Sequence, residues 1–364
     1  MRRPNRRGCY GRDSMRAMQI VEFGKPLKLN TYDDPKPTGS EVLVKIVSSG
    51  VCHSDLHIWE GFFDIGGGQK LEMSARGMKL PFTLGHEIAG EVVAVGPDVK
   101  DVRPGSRYVV FPWIGCGTCA ACQAGEELLC PTPRTLGTRR DGGYATHVIV
   151  PHSKYLVDPG NSPIDLACTY ACSGLTAYSA IRKTETVKNR KRLLLVGAGG
   201  VGLAGLEVAK AIFDGEIVVA DIDDSKLAVA KKHGAHHTVN PKAEGAVQKL
   251  VQQTGGGVDA AIDFVGAAAS FRFAFDSIRR GGKVVIVGLF GGDAPFAPIA
   301  MPFKMAAIEG SYVGDLRELQ ELMKLVREGR VQALPYSTRP LEAAHDVLEE
   351  LKAGKVVGRV VLTP

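Results

Sequence analysis

The stretch that most constrains the fold is LLLVGAGGVG, residues 193–202, where a short apolar run meets a glycine-rich turn. Gly197, Gly199 and Gly202 stand in G-x-G-x-x-G spacing, and a helical pattern over 201–213 follows at once. Glycines at this spacing let a strand turn sharply into a helix and let the backbone approach a pyrophosphate at the helix N-terminal amides. The expected cradle is Gly197, Gly199, Gly200, Val201 and Gly202. A second apolar run, 217–220, ends in Asp221. An acid there accepts bonds from both ribose hydroxyls and repels a 2′-phosphate, which selects NAD over NADP. No Arg in the next few positions reverses that choice, although Lys226 lies near and is a further cofactor-binding candidate.

Residues 192–196, 217–220, 260–265 and 283–288 read as buried strands separated by helix-like stretches. Such alternation predicts a parallel sheet covered on both faces. Before residue 163 the chain alternates apolar and polar residues over 15–50, 88–95, 107–111 and 144–150. Those segments read as strands and turns, with no long helical period. After residue 310, helix-like segments 316–328 and 341–352 precede a last strand, 359–362. A chain of 364 residues suits two domains, and 45% hydrophobic content excludes disorder as its main state. No run approaches the ~18 apolar residues of a membrane span. Residues 1–14 hold five Arg and one Asp, which is most of the chain's net +6. This basic tail reads as a mobile extension without the apolar core of a secretory signal.

Four of the eight cysteines, Cys116, Cys119, Cys122 and Cys130, form C-x2-C-x2-C-x7-C. Four thiolates on one short lobe, 115–131, suit a closed tetrahedral zinc site, and a closed site is structural. A zinc-ribbon module for nucleic acid would need basic and aromatic residues that this lobe lacks. With no export signal, metal binding is favoured over disulfides, and the cytoplasm is the expected location.

Three further segments are ambiguous singly: Cys52-His53-Ser54-Asp55 after an alternating strand, Gly85-His86-Glu87 before another, and Ala171-Cys172-Ser173-Gly174-Leu175-Thr176. Together with GVCHSD, LGHEIAGEVVAVG, the four-cysteine lobe, CSGLTAY, VGAGGVG with Asp221, VGLFGG and GKVVGRVVL, their order and spacing carry a resemblance. From about Met15 to Pro364 the chain resembles the zinc-dependent medium-chain alcohol dehydrogenases. HEIAG, CSGLTAY and VGLFG look most like the tetrameric bacterial and archaeal branch.

The resemblance implies an α/β architecture: a Rossmann doubly wound parallel sheet inserted in a mainly β, GroES-like catalytic domain. The catalytic domain would comprise 15–173 and 313–364, and the NAD-binding domain 174–312. It further implies two zinc ions per subunit. Cys52, His86 and Cys172 would hold the catalytic one, leaving a position open for substrate, with Glu87 beside them as a transient ligand. Cys168 lies four residues before Cys172, but CSGLT fits the family pattern at Cys172. Ser54 and His57 would form a proton relay and His53 a pyrophosphate contact. Asp55 would support the metal site, and Arg359 would contact phosphate and pair with Asp55. Thr176, Val287, Leu289, Ser311 and Val313 would surround the nicotinamide, and Trp113 and Trp59 would wall the substrate pocket.

The expected function is hydride transfer between a primary or secondary alcohol and NAD, with a small-molecule substrate, no nucleic-acid or membrane partner, and a homotetrameric state. A polyol dehydrogenase, or one specialised for cyclic or aromatic alcohols, is the nearest rival. Polyol enzymes typically use Glu as the third ligand, where this chain offers Cys172. A cinnamyl-type reductase would prefer NADPH, which Asp221 disfavours. Cys52 and His86 are separated by a glycine-rich insertion, 61–77, expected to act as a mobile rim of the substrate cleft.

Overall fold

The computed structural model describes residues 14–364; most of the basic tail lies outside them. The chain opens in a three-stranded sheet of order Lys28–Tyr32, Met15–Ile20, Phe82–Thr83. A larger, mainly antiparallel sheet follows the order Leu156–Val157, Arg107–Val110, Glu87–Val95, Val42–Gly50, Arg359–Thr363, Tyr336–Pro340, with His147–Val150 also pairing to Val42–Gly50. The final strand therefore returns to the first half of the chain, with Val361 opposite Gly50.

Between these halves lies a six-stranded parallel sheet. Its order is His237–Val239, Glu216–Ala220, Arg192–Val196, Val258–Asp263, Ile278–Ile286, Ala307–Gly310. In sequence order that is 3-2-1-4-5-6, the doubly wound dinucleotide fold, with its switch point beside Arg192–Val196. Leu193, Leu194 and Leu195 are fully buried, as a central parallel strand requires.

Helix Ser173–Lys183 joins the two sheets. Its first nine residues are all buried, and Leu175 and Ile181 enter a core running from the β-rich part into the parallel sheet. Each such side chain contributes about 1.5–3 kcal/mol of burial, so the β-rich part and the parallel-sheet part are held against one another.

Two local elements were not legible in the sequence. The segment after Cys52 is a helix, His53–Glu60. It is too short to show a helical period, and Asp55 starts it by accepting the Cys52 N–H at 2.9 Å. The insertion 61–77 contains a hairpin, Phe62–Asp64 paired with Lys70–Glu72. Its tip reaches the parallel-sheet part, where Gly67 N–H donates to Asp293 Oδ1 at 2.8 Å.

Candidate active site

Strand Val42–Gly50 delivers the chain to Cys52, which sits in extended conformation at the mouth of helix His53–Glu60. Gly85, at φ 95°, turns the chain into His86, and a Cβ there would stand 2.5 Å from the Tyr144 ring. Asp55 ties the two segments together. Its Oδ1 accepts the Gly85 N–H at 3.2 Å and lies 3.3 Å from His86 Nδ1, while its Oδ2 accepts from Cys52 N and, at 3.1 Å, from the Tyr144 hydroxyl. Cys172 arrives at the start of helix Ser173–Lys183.

The ligating atoms of Cys52, His86, Glu87 and Cys172 lie within 4.8 Å of one another, and all four residues are buried. His86 is wholly buried, yet its Nε2 has no hydrogen-bond partner among the described residues. The Cys172 thiol beside Cys52 holds the Cys52 pKa well below the ordinary thiol value, with His86 and Arg359 adding to the effect against burial. Hydrogen bonding to Cys52 and burial push Cys172 the other way. A buried thiolate, a second sulfur and an orphaned imidazole nitrogen fit zinc, with Glu87 at hand.

Arg359 pairs with Glu87 and not, as expected, with Asp55. Strand register explains this: Gly50 faces both Val361 and Glu87, which brings Arg359 beside Glu87, while Asp55 is already engaged by its own donors. Burial raises the Glu87 carboxyl to about 7, with the Arg359 charge opposing.

The four-cysteine lobe gathers its sulfurs into one cluster. Cys116 Sγ lies 4.0 Å from Cys122 Sγ, and Cys119 Sγ lies 3.8 Å from Cys130 Sγ. A tetrahedron of ~2.3 Å zinc–sulfur bonds has edges of about 3.8 Å, so the sulfurs already stand at zinc spacing. Backbone amides support them: Thr118 N–H and Cys119 N–H donate to Cys116 Sγ at 3.4 and 3.3 Å. The Thr118 hydroxyl and these amides lower Cys116 to about 5.

On the nucleotide side, strand Arg192–Val196 turns through Gly197 into helix Gly200–Ile212. A Cβ on Gly202 would run into the Gly197 carbonyl, so helix and strand pack closely only with glycine here. Asp221 is held by Ala198 N–H at 2.7 Å and Asp223 N–H at 2.9 Å, one on each carboxylate oxygen. Beside Gly200, where a Cβ would lie 2.7 Å from Arg359, positive groups gather. Burial lowers the His53 pKa first, and Arg359, His57 and Lys226 are near enough to add to the shift. Ser311 Oγ is buried without a hydrogen-bond partner among the described residues, and Val313 is held at φ 44°, a strained value for a β-branched residue. Thr176 is buried one turn beyond Cys172, Val287 N–H donates to Asp263 O at 2.9 Å, and Leu289 is exposed. The orphaned hydroxyl, the glycine turn and the anchored acid fit a dinucleotide.

A cleft of about 720 Å³ opens between the two parts, with Ser54, Phe63 and Trp113 on one side and Leu289 and Tyr312 on the other. Trp113 packs 5.2 Å from the His86 ring and donates to Ala171 O at 2.9 Å. His57, half-buried, lies 5.0 Å from the Phe63 ring. Trp59 does not wall this cleft. It is buried in a separate core, donates to Lys25 O at 2.7 Å and packs on His345, because it sits on the inner face of its helix. Tyr144 and Tyr312 carry no local motif, so sequence reasoning missed them; only the folded strand order brings them here.

Comparison with known proteins agrees with this geometry. The family of alcohol dehydrogenase GroES-like domains matches residues 38–159, and that of zinc-binding dehydrogenases matches 200–328. An NAD-dependent alcohol dehydrogenase of Sulfurisphaera tokodaii is 39% identical over 96% of this chain and 100% of its own. An alcohol dehydrogenase of Geobacillus stearothermophilus is 35% identical over 96% of this chain and 99% of its own. The crystal structure of the alcohol dehydrogenase of Aeropyrum pernix superposes with a TM-score of 0.84, at 32% identity, over 96% of this chain and 100% of that one. The chain belongs to the zinc-dependent medium-chain alcohol dehydrogenases.

Proposed function

We propose that the protein interconverts an alcohol and its aldehyde or ketone with NAD as hydride carrier. One observation carries this reading: the buried set of Cys52, His86 and Cys172 adjoins a cleft whose far wall belongs to the dinucleotide fold. Zinc, when bound, lowers the pKa of an alcohol and polarises a carbonyl, and NAD accepts or returns the hydride. Cys52, His86 and Cys172 would hold the catalytic zinc, and Cys116, Cys119, Cys122 and Cys130 the structural one. His53, Lys226 and Arg359 place positive charge where the diphosphate meets the glycine turn. Asp221 takes the ribose hydroxyls. Ser54 faces the cleft and His57 follows it by one helical turn, so the pair leads a proton from the hydroxyl toward solvent. Trp113 and Phe63 exclude water from the reacting end.

A homotetramer in the cytoplasm completes the reading. Phe290, Ile299, Phe303 and Met305 expose apolar surface near the edge strand Ala307–Gly310, surface that a partner subunit would cover. A reducing compartment keeps both sets of thiols available to metal. No helix among the described residues is long and apolar enough to cross a membrane. NADH formation across primary, secondary, cyclic and aromatic alcohols tests the activity. Turnover of at least one class with NAD is expected; none with any class would overturn it.

A further inference from the structure

The outer end of the cleft is built differently from its metal end. Arg76 and Arg139 line both the 720 Å³ cleft and an adjoining one of about 510 Å³. Arg139 Nη1 donates to the Arg76 carbonyl at 2.7 Å, which holds the two together. Neither guanidinium has a carboxylate partner among the described residues. Burial first, and then the Arg139 charge, lower the Arg76 pKa. The acids lining the two clefts accept from other donors. Asp64 accepts the Gly66 N–H, Asp141 accepts the Thr83 N–H, and Glu127 is shared by Lys154, Tyr155 and Gly115. Lys79 and Arg140 extend the positive wall into the adjoining cleft.

An aromatic wall links the two ends. Trp113 packs on His86 at 5.2 Å and on Tyr312 at 5.8 Å, and the Arg76 and Arg139 charges reach Tyr312. Phe63 and Leu71 add apolar lining to the same cleft. A ligand matching this order has a reacting carbon at one end, an apolar middle and a negative charge at the other. We propose that the preferred substrate is an alcohol or carbonyl compound bearing a carboxylate or phosphate at its far end, bound by Arg76 and Arg139; this rests on the dehydrogenase reading of the same cleft.

The test compares ω-hydroxyhexanoate and ω-hydroxyhexyl phosphate with hexanol. At low salt, kcat/KM for at least one anion should exceed that for hexanol by about tenfold and fall as salt is added. In the double variant Arg76→Gln, Arg139→Gln, that ratio should drop about tenfold. It is read within each variant, so a general loss of activity cancels. The two anions distinguish a carboxylate from a phosphate tail. Tryptophan fluorescence of hexanoate and hexyl phosphate binding, against hexanamide, needs no turnover and so separates failure of this proposal from failure of the dehydrogenase reading. Neither anion favoured over its neutral counterpart in turnover and in binding, or a ratio unchanged in the double variant, would overturn the proposal.

Discussion

Asp55 Oδ1 lies 3.3 Å from His86 Nδ1, and both side chains are fully shielded from solvent. The carboxylate that orients the imidazole also fixes the Cys52 amide and accepts the Tyr144 hydroxyl. One acid thus sets the position of two of the proposed metal ligands. Partners of this kind are worth about 10–100-fold in metal affinity. Asp55→Ala should weaken catalytic zinc binding by that order while the four-cysteine site stays filled. Competition with a zinc chelator checks it, and a single unchanged affinity for both ions would refute the role.

The dinucleotide turn was legible because its chemistry is backbone chemistry: only glycine lets Gly202 approach the Gly197 carbonyl, and the acid at Asp221 ends the neighbouring strand. The four-cysteine lobe was legible for a similar reason, since its ligands are close in sequence. Cys52, His86 and Cys172 are distant in sequence and individually ordinary, so only the resemblance joined them. Arg359 was placed near the site but given the wrong partner, because strand register decides between Asp55 and Glu87. Trp59 was misassigned because an eight-residue helix turns it inward. Arg76, Arg139 and Tyr312 come from separate loops and meet only in the fold.

Asp221 gives a cofactor prediction. Its carboxylate is anchored by two backbone amides, so it cannot swing away from a 2′-phosphate. Steady-state kinetics should show a clear preference for NAD, and Asp221→Gly should narrow or reverse it by tenfold or more, about 1.4 kcal/mol. Equal efficiency with NAD and NADP in the unmutated protein would contradict this assignment.

The proposed relay through His57 predicts a pH dependence. Burial holds its pKa below the ordinary value of about 6.5. Below its pKa the imidazolium cannot accept a proton; above it the neutral ring can. Alcohol oxidation should therefore rise with pH, with a midpoint under 6.5, and then level off. His57→Gln should slow oxidation and remove that limb, with partial rescue by added buffer base. An unchanged pH profile in the variant would mean that the proton leaves by another route.

The hairpin in 61–77 carries Phe63, Ile65 and Leu71 over the cleft and is tethered at Gly67 to Asp293. Phe62 lies instead beneath the Lys70 ammonium. Shortening the hairpin should change the ranking of small against bulky alcohols and leave zinc content intact. The same ranking in the shortened protein would reduce the hairpin to a passive insertion.

Zinc content measured on the same samples as turnover tests the central claim most directly. Elemental analysis should find two zinc ions per chain in fresh protein. Cys52→Ala should retain one, stay folded and lose NADH formation. Cys130→Ala should instead lose stability first, with Tm falling on the order of 10 °C, because binding energy at a closed site is folding energy. One zinc or none in the unmutated protein, or a Cys52→Ala variant that still reduces NAD with alcohol, would contradict the account.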